Sequence, residues 1–109
     1  MDDTRLPAGL EVSGLIRQVQ AAGGFAAVLA KGEPEAGTLV VVLTANGSPP
    51  RAFERMPQAD GSRRWALARA ESDEAPHEFA EWLARRQAQD RDLWIVELDI
   101  PQGERFIGL

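Results

Sequence analysis

Leu39-Val40-Val41-Val42-Leu43 is an apolar run centred on three valines and unbroken by any polar residue. A strand with one wet face alternates, so a run like this belongs to a strand covered on both faces. It is far too short to span a bilayer. With 109 residues, the chain buries roughly two thirds of its unfolded surface on folding, enough for one core but not two. Its Pro, Gly and Ser residues are spread over turns, and internal repeats and low-complexity tracts are absent. Residues 1–109 therefore read as a single domain.

Other elements are legible on either side of that run. Val12, Leu15, Ile16 and Val19 fall at helical spacing, which predicts a helix of about 12 residues. Gly23-Gly24 ends it, because glycine accepts the left-handed conformation that closes a helix. Phe25 to Ala30 is a short apolar strand, and Lys31 to Gly37 is a polar loop bounded by glycines, read as a rigid hairpin connection to the strand at Thr38 to Thr44. Asn46-Gly47-Ser48-Pro49-Pro50 is a second turn. Arg51 to Met56 alternates as a strand with one wet face, Asp60-Gly61 makes a hairpin turn, and Arg63 to Ala70 alternates again. A second helix runs from about Pro76 to Gln89, with Phe79, Trp82 and Leu83 as its apolar stripe and Glu81–Arg85 as a flanking ion pair. Asp90-Arg91-Asp92 then turns the chain into the buried-type strand Leu93-Trp94-Ile95-Val96. The order is helix, four strands in a meander, helix, strand. It predicts an α+β fold with a mixed or antiparallel sheet and both helices packed on one face.

Composition removes whole classes of chemistry. The chain has 12 basic and 17 acidic residues, a formal net charge of −5, and no cysteine. Lys31 is the only lysine and His77 the only histidine. Thiol nucleophiles, disulfides and cysteine-based zinc sites are therefore impossible, and one chain cannot supply two histidines to a metal. The acidic balance disfavours binding to a nucleic-acid backbone. Met1 to Arg5 is not followed by the apolar run of a signal peptide, so the expectation is a cytoplasmic protein without a membrane partner.

Arg17 to Gly37, the Asp60-Gly61 hairpin with Trp65, and Asp90-x-Asp92-Leu93-Trp94-Ile95-Val96-Glu97 together resemble a family of small bacterial proteins catalogued as domain of unknown function 1491. The likeness covers nearly the whole chain. In the family's first loop a basic residue, Gly and Asp precede Ala-Gly; here the loop reads Lys31-Gly32-Glu33 before Ala36-Gly37. The resemblance implies a shared fold and carries no assigned chemistry, cofactor or catalytic residue.

Four constellations bear on function. His77 and Glu81 share a helix face at i,i+4, half of a helical metal motif whose second histidine is missing; a surface histidine at a helix start accounts for it. Carboxylates at strand ends, Glu54, Asp90, Asp92, Glu97 and Asp99, resemble those of restriction-type nucleases. The expected lysine two places after Glu54 is absent, and Asp90 and Asp92 serve as turn residues. The Lys31–Gly37 loop follows a strand, but it lacks phosphate-loop spacing and carries Glu33 and Glu35, which repel anions. Lastly, Arg51, Arg55, Arg63, Arg64 and Arg69 crowd one hairpin, where charge protects a sheet edge or, beside Trp65 and Phe53, rims a contact surface.

The expected function is a non-enzymatic protein-interaction module or homodimer, without cofactor or metal. Its surface is placed at Arg51, Phe53, Arg55, Arg63 and Trp65. One alternative is a small-ligand sensor or enzyme using Asp90, Asp92 and Glu97 with Arg17 or Lys31. The other is weak RNA binding by the arginine-rich hairpin, through stacking and phosphate pairing.

Overall fold

The computed structural model describes residues 6–45 and 48–109. The expectations at Met1 to Arg5 and at Asn46-Gly47 lie outside the described residues. Along the chain come α1 (Ala8–Ala21), β1 (Phe25–Ala30), β2 (Leu39–Thr44), β3 (Arg51–Pro57), β4 (Arg63–Ala70), α2 (His77–Gln89), β5 (Trp94–Asp99) and a short 3-10 helix (Gly103–Ile107). The helix-ending glycines act as expected. Gly23 takes a φ of +90°, and the Gly24 amide donates to the Val19 carbonyl at 2.9 Å. Gly24 also lies so close to β5 that an added Cβ would sit 2.9 Å from the Asp99 carbonyl oxygen.

The strands form one mixed five-stranded sheet in the order β1-β5-β2-β3-β4. The expected four-strand meander is therefore corrected: β5 inserts between β1 and β2, antiparallel to β1 and parallel to β2. Burial explains the insertion. The non-alternating segments β2 and β5 are the strands needing cover on both faces, and the sheet centre is where that cover exists. Along β2 every residue from Leu39 to Leu43 is buried, whereas most of β1 is exposed.

Side chains along β2 alternate between two apolar clusters. Leu39, Val41 and Leu43 join Val12, Leu15 and Val19 of α1 with Phe53, Trp94, Val96 and Leu98. Val40 and Val42 join Phe79 of α2 with Ala30, Ala52, Leu93 and Ile95, flanked by Trp82 and Leu83. The two helices thus cover opposite faces, which corrects the expectation that both pack on one. A run without alternation has two apolar faces, and a helix on each covers both. The start of β3 is also covered on both sides, with Ala52 at 0% and Phe53 at 5% exposure, so its predicted wet face is absent there.

The Asp60-Gly61 turn forms as read. Gly61 has a φ of +87°, and Asp60 accepts the Ser62 amide at 2.9 Å. Beyond it, Ala68 of β4 is the extra residue of a bulge opposite Ala52-Phe53. No helix among the described residues is long and apolar enough to cross a membrane.

Candidate functional site

Two of the segments that carry the family resemblance, the Lys31–Gly37 loop and the Asp90–Trp94 turn, meet at one end of the sheet. The Lys31–Gly37 loop joins two strands that are not neighbours, so it is no hairpin connection; it crosses the end of the sheet where β5 enters. The Glu33 amide donates to the Asp92 carbonyl at 3.1 Å, and the Trp94 indole donates to the Glu33 carbonyl at 2.8 Å. A Cβ on Gly32 or Gly37 would overlap the Asp92 carbonyl. Within the loop, the Glu33 carboxylate accepts the Glu35 amide at 2.6 Å. The loop carbonyls of Pro34 and Glu35 take the Gly9 and Ala8 amides, at 2.8 and 3.2 Å. These are orphan donors of the first turn of α1, whose N-cap Pro7 offers no side-chain cap. These two segments thus form a structural lock joining α1, the loop and β5.

That lock sets the loop after Lys31 against the Asp90–Asp92 turn and leaves Arg17 of the expected ligand set apart. Asp90 turns the chain into β5, accepting the Asp92 amide at 3.0 Å, and Asp92 is exposed. Lys31 lies in a shallow depression with Gln87 and Arg91. Glu97, beyond Ile95 in strand alternation, is on the α2 face, while exposed Arg17 belongs to α1 on the other. Arg17 and Glu97 are divided by the sheet. His77 is exposed at the start of α2.

Two of the five hairpin arginines, Arg51 and Arg55, are engaged by acidic residues of other elements. Arg55 makes a bidentate pair with Glu11 of α1, both contacts at 2.9 Å, and lies 4.9 Å over the Trp65 ring. Arg51 reaches Glu104 at 2.8 Å and stacks on Phe53 at 5.4 Å. Phe53 is buried and Trp65 half-buried, so the two do not face solvent together. Arg63 is exposed, and among the described residues Arg63, Arg64 and Arg69 form no ion pair within 4 Å.

On the opposite face, Arg86 of α2 holds Glu54 at 2.6 and 3.0 Å, and this hydrogen bonding raises the Arg86 pKa. The expected Glu81–Arg85 pair is not formed; the next arginine makes a long-range pair instead. Sequence reasoning missed Glu11, Arg86 and Glu104. Their partners lie 44, 32 and 53 positions away, where no local spacing rule applies.

Beyond the carboxyl ends of the parallel strands β2 and β5 lies a crevice of about 340 Å³, walled by Thr44, Ser48, Arg51, Gln102 and Glu104 among others. Gln102 has a φ of 56°, the one positive φ outside glycine among the described residues. Arg51 and Glu104 neutralise one another at its rim, and that hydrogen bond holds the Glu104 carboxyl below the usual carboxylate range.

The sheet edges are chemically unlike. Edge strand β4 carries Arg63, Arg64 and Arg69, the charged guard that native edges use against unwanted pairing. Edge strand β1 reads Phe-Ala-Ala-Val-Leu-Ala, with no charge at all. Phe25 is 76%, Val28 42% and Leu29 50% exposed. Among the described residues its only ladder partner is β5, and a bulge at Leu29 interrupts the far end of an otherwise regular register.

The sequence model of a family described as "Protein of unknown function (DUF1491)" matches residues 6–108. The chain belongs to this family. A crystal structure of a DUF1491 family protein from Caulobacter crescentus CB15 superimposes with a TM-score of 0.77 at 29% identity, covering 95% of this chain and 96% of that one. The solution structure of protein Atu0922 from A. tumefaciens gives 0.77 at 32% identity, covering 97% and 95%. An NMR structure of a Caulobacter crescentus CB15 DUF1491 protein gives 0.76 at 29%, covering 96% and 94%. No functionally curated protein matches the chain. The DUF1491 fold is thus shared across nearly the full length, as the fingerprint implied.

Proposed function

We propose that this DUF1491 chain acts as a protein-binding module whose binding element is the free edge of β1. The carrying observation is the contrast between edges: β4 is guarded by arginines, whereas β1 presents exposed Phe25, Val28 and Leu29 without a charge. An extended segment laid along β1 gains main-chain hydrogen bonds from the sheet edge and covers those side chains. The Arg51–Ala70 hairpin, by contrast, uses Arg51, Arg55 and Phe53 to hold its own fold together.

The test is a titration of isotope-labelled protein with a synthetic peptide of about seven residues, alternating valine and threonine and flanked by lysines. Shift changes confined to Phe25–Ala30 and its β5 neighbours support edge binding. Changes centred on Arg51–Ala70 instead, or none at saturating peptide, overturn it.

A further inference from the structure

Resting on that reading of β1, we infer that its partner is a second copy of this chain, paired β1 to β1 in antiparallel fashion about a two-fold axis normal to the sheet. Directly opposed residues of an antiparallel pair point to the same side. With the axis at Ala27, Ala26 opposes the partner's Val28, and Phe25 reaches the stretch of the partner that carries the bulged Leu29. No residue of β1 is charged, so no like charges face one another across the paired strands. Self-pairing through β4 would instead bring together two strands that each carry three arginines, an unfavourable accumulation of like charge.

The pairing is also self-limiting. Joining two β1 edges makes a continuous ten-stranded sheet, from two sheets of five strands, whose outer edges are both the arginine-bearing β4. Such an isologous contact closes after two copies and cannot propagate into a fibre. A lone heterologous strand would cover the apolar edge of one chain only. The short regular register of β1 sets the scale of the contact: it predicts a reversible, concentration-dependent dimer rather than an obligate one.

Because the chain has no cysteine, a single introduced thiol reports on the contact unambiguously. Ala27 is exposed, and directly opposed residues of an antiparallel pair lie within disulfide reach. Ala27→Cys is expected to form a covalent dimer under mild oxidation, whereas Leu67→Cys on the β4 edge, whose parent residue is 54% exposed, is not. In sedimentation velocity the wild-type chain moves from monomer towards dimer with concentration. Ala27→Lys, folded by circular dichroism, raises the dissociation constant about tenfold or more, equivalent to about 1.4 kcal/mol.

A dimer that persists unchanged in Ala27→Lys, or that is trapped by Leu67→Cys and not by Ala27→Cys, overturns β1 pairing. A wild-type chain that stays monomeric at millimolar concentration while the valine-threonine peptide binds β1 overturns the second copy as partner and leaves edge binding intact. Monomer behaviour with no peptide binding overturns both.

Discussion

Gly32 and Gly37 owe their identity to a neighbour 60 and 55 positions away in the chain, since a methyl at either would enter the space of the Asp92 carbonyl. Gly14, in contrast, sits mid-helix in α1 with nothing within 4 Å of an added Cβ. Two glycine-to-alanine changes should therefore differ in sign. Gly37→Ala is expected to cost about 3 kcal/mol by forcing backbone apart, and Gly14→Ala to stabilise by about 0.5–1 kcal/mol through helix propensity; urea unfolding curves with unchanged slope check both. The ion pair of Arg51 with Glu104 sets a second expectation. Its hydrogen bond lowers the Glu104 pKa, so the ionised form is favoured in the folded state. The small stabilisation is fully present above the ordinary carboxylate pKa of about 4.3 and is lost as pH falls through the lowered value. In a carbon-detected NMR titration, Arg51→Ala should move the Glu104 midpoint upward; an unmoved midpoint means the pair does not form in solution.

At the scale of elements, β3 holds both layers in place. Consecutive residues Glu54 and Arg55 point to opposite faces, where they meet Arg86 of α2 and Glu11 of α1. Each pair is half-buried and bidentate, so a double-mutant cycle on Glu54→Gln and Arg86→Met is expected to give a coupling of about 1 kcal/mol. The Glu11–Arg55 cycle should be of similar size, and the two should be additive because the sheet lies between them. The helices themselves were legible from the chain: the Val12-Leu15-Ile16-Val19 and Phe79-Trp82-Leu83 stripes face the core where periodicity placed them. Their ion pairs were not. Glu81–Arg85 satisfied a local spacing rule, yet both are exposed on α2, while Arg86 sits opposite a carboxylate that only the folded sheet brings near. The partners of Arg51 and Arg55 were not legible for the same reason, since Glu104 and Glu11 come from distant elements.

Across the whole molecule, the insertion of β5 makes the fold depend on its last strand. Without β5, β1 has no ladder partner and β2 loses one of its two. The loop that supplies hydrogen bonds to the first turn of α1 also loses its Asp92 and Trp94 anchors. A fragment of residues 1–89 is therefore expected to lack cooperative structure, and the full chain to unfold in one transition. Coincident far-ultraviolet and tryptophan-fluorescence transitions check the full chain; a folded fragment, with dispersed amide signals, would contradict this account.

The amino-acid sequence by itself determined the two helices, the five strands and the presence of a strand buried on both faces, though not the closing 3-10 helix, because helical period, strand alternation and glycine turns are properties of neighbours in the chain. Family membership was legible in part from the Lys31–Gly37 loop and the Asp90–Trp94 turn, two segments that the fold locks together. Only the tertiary structure decided that β5 lies between β1 and β2, that the helices take opposite faces, and that Arg51 and Arg55 point to partners within the chain. It also decided which apolar strand was left at an edge. Phe25–Ala30 and Leu39–Leu43 look alike as apolar segments, and burial separates them: the centre of a sheet has two covered sides to offer, and its edge leaves a row of backbone groups unpaired.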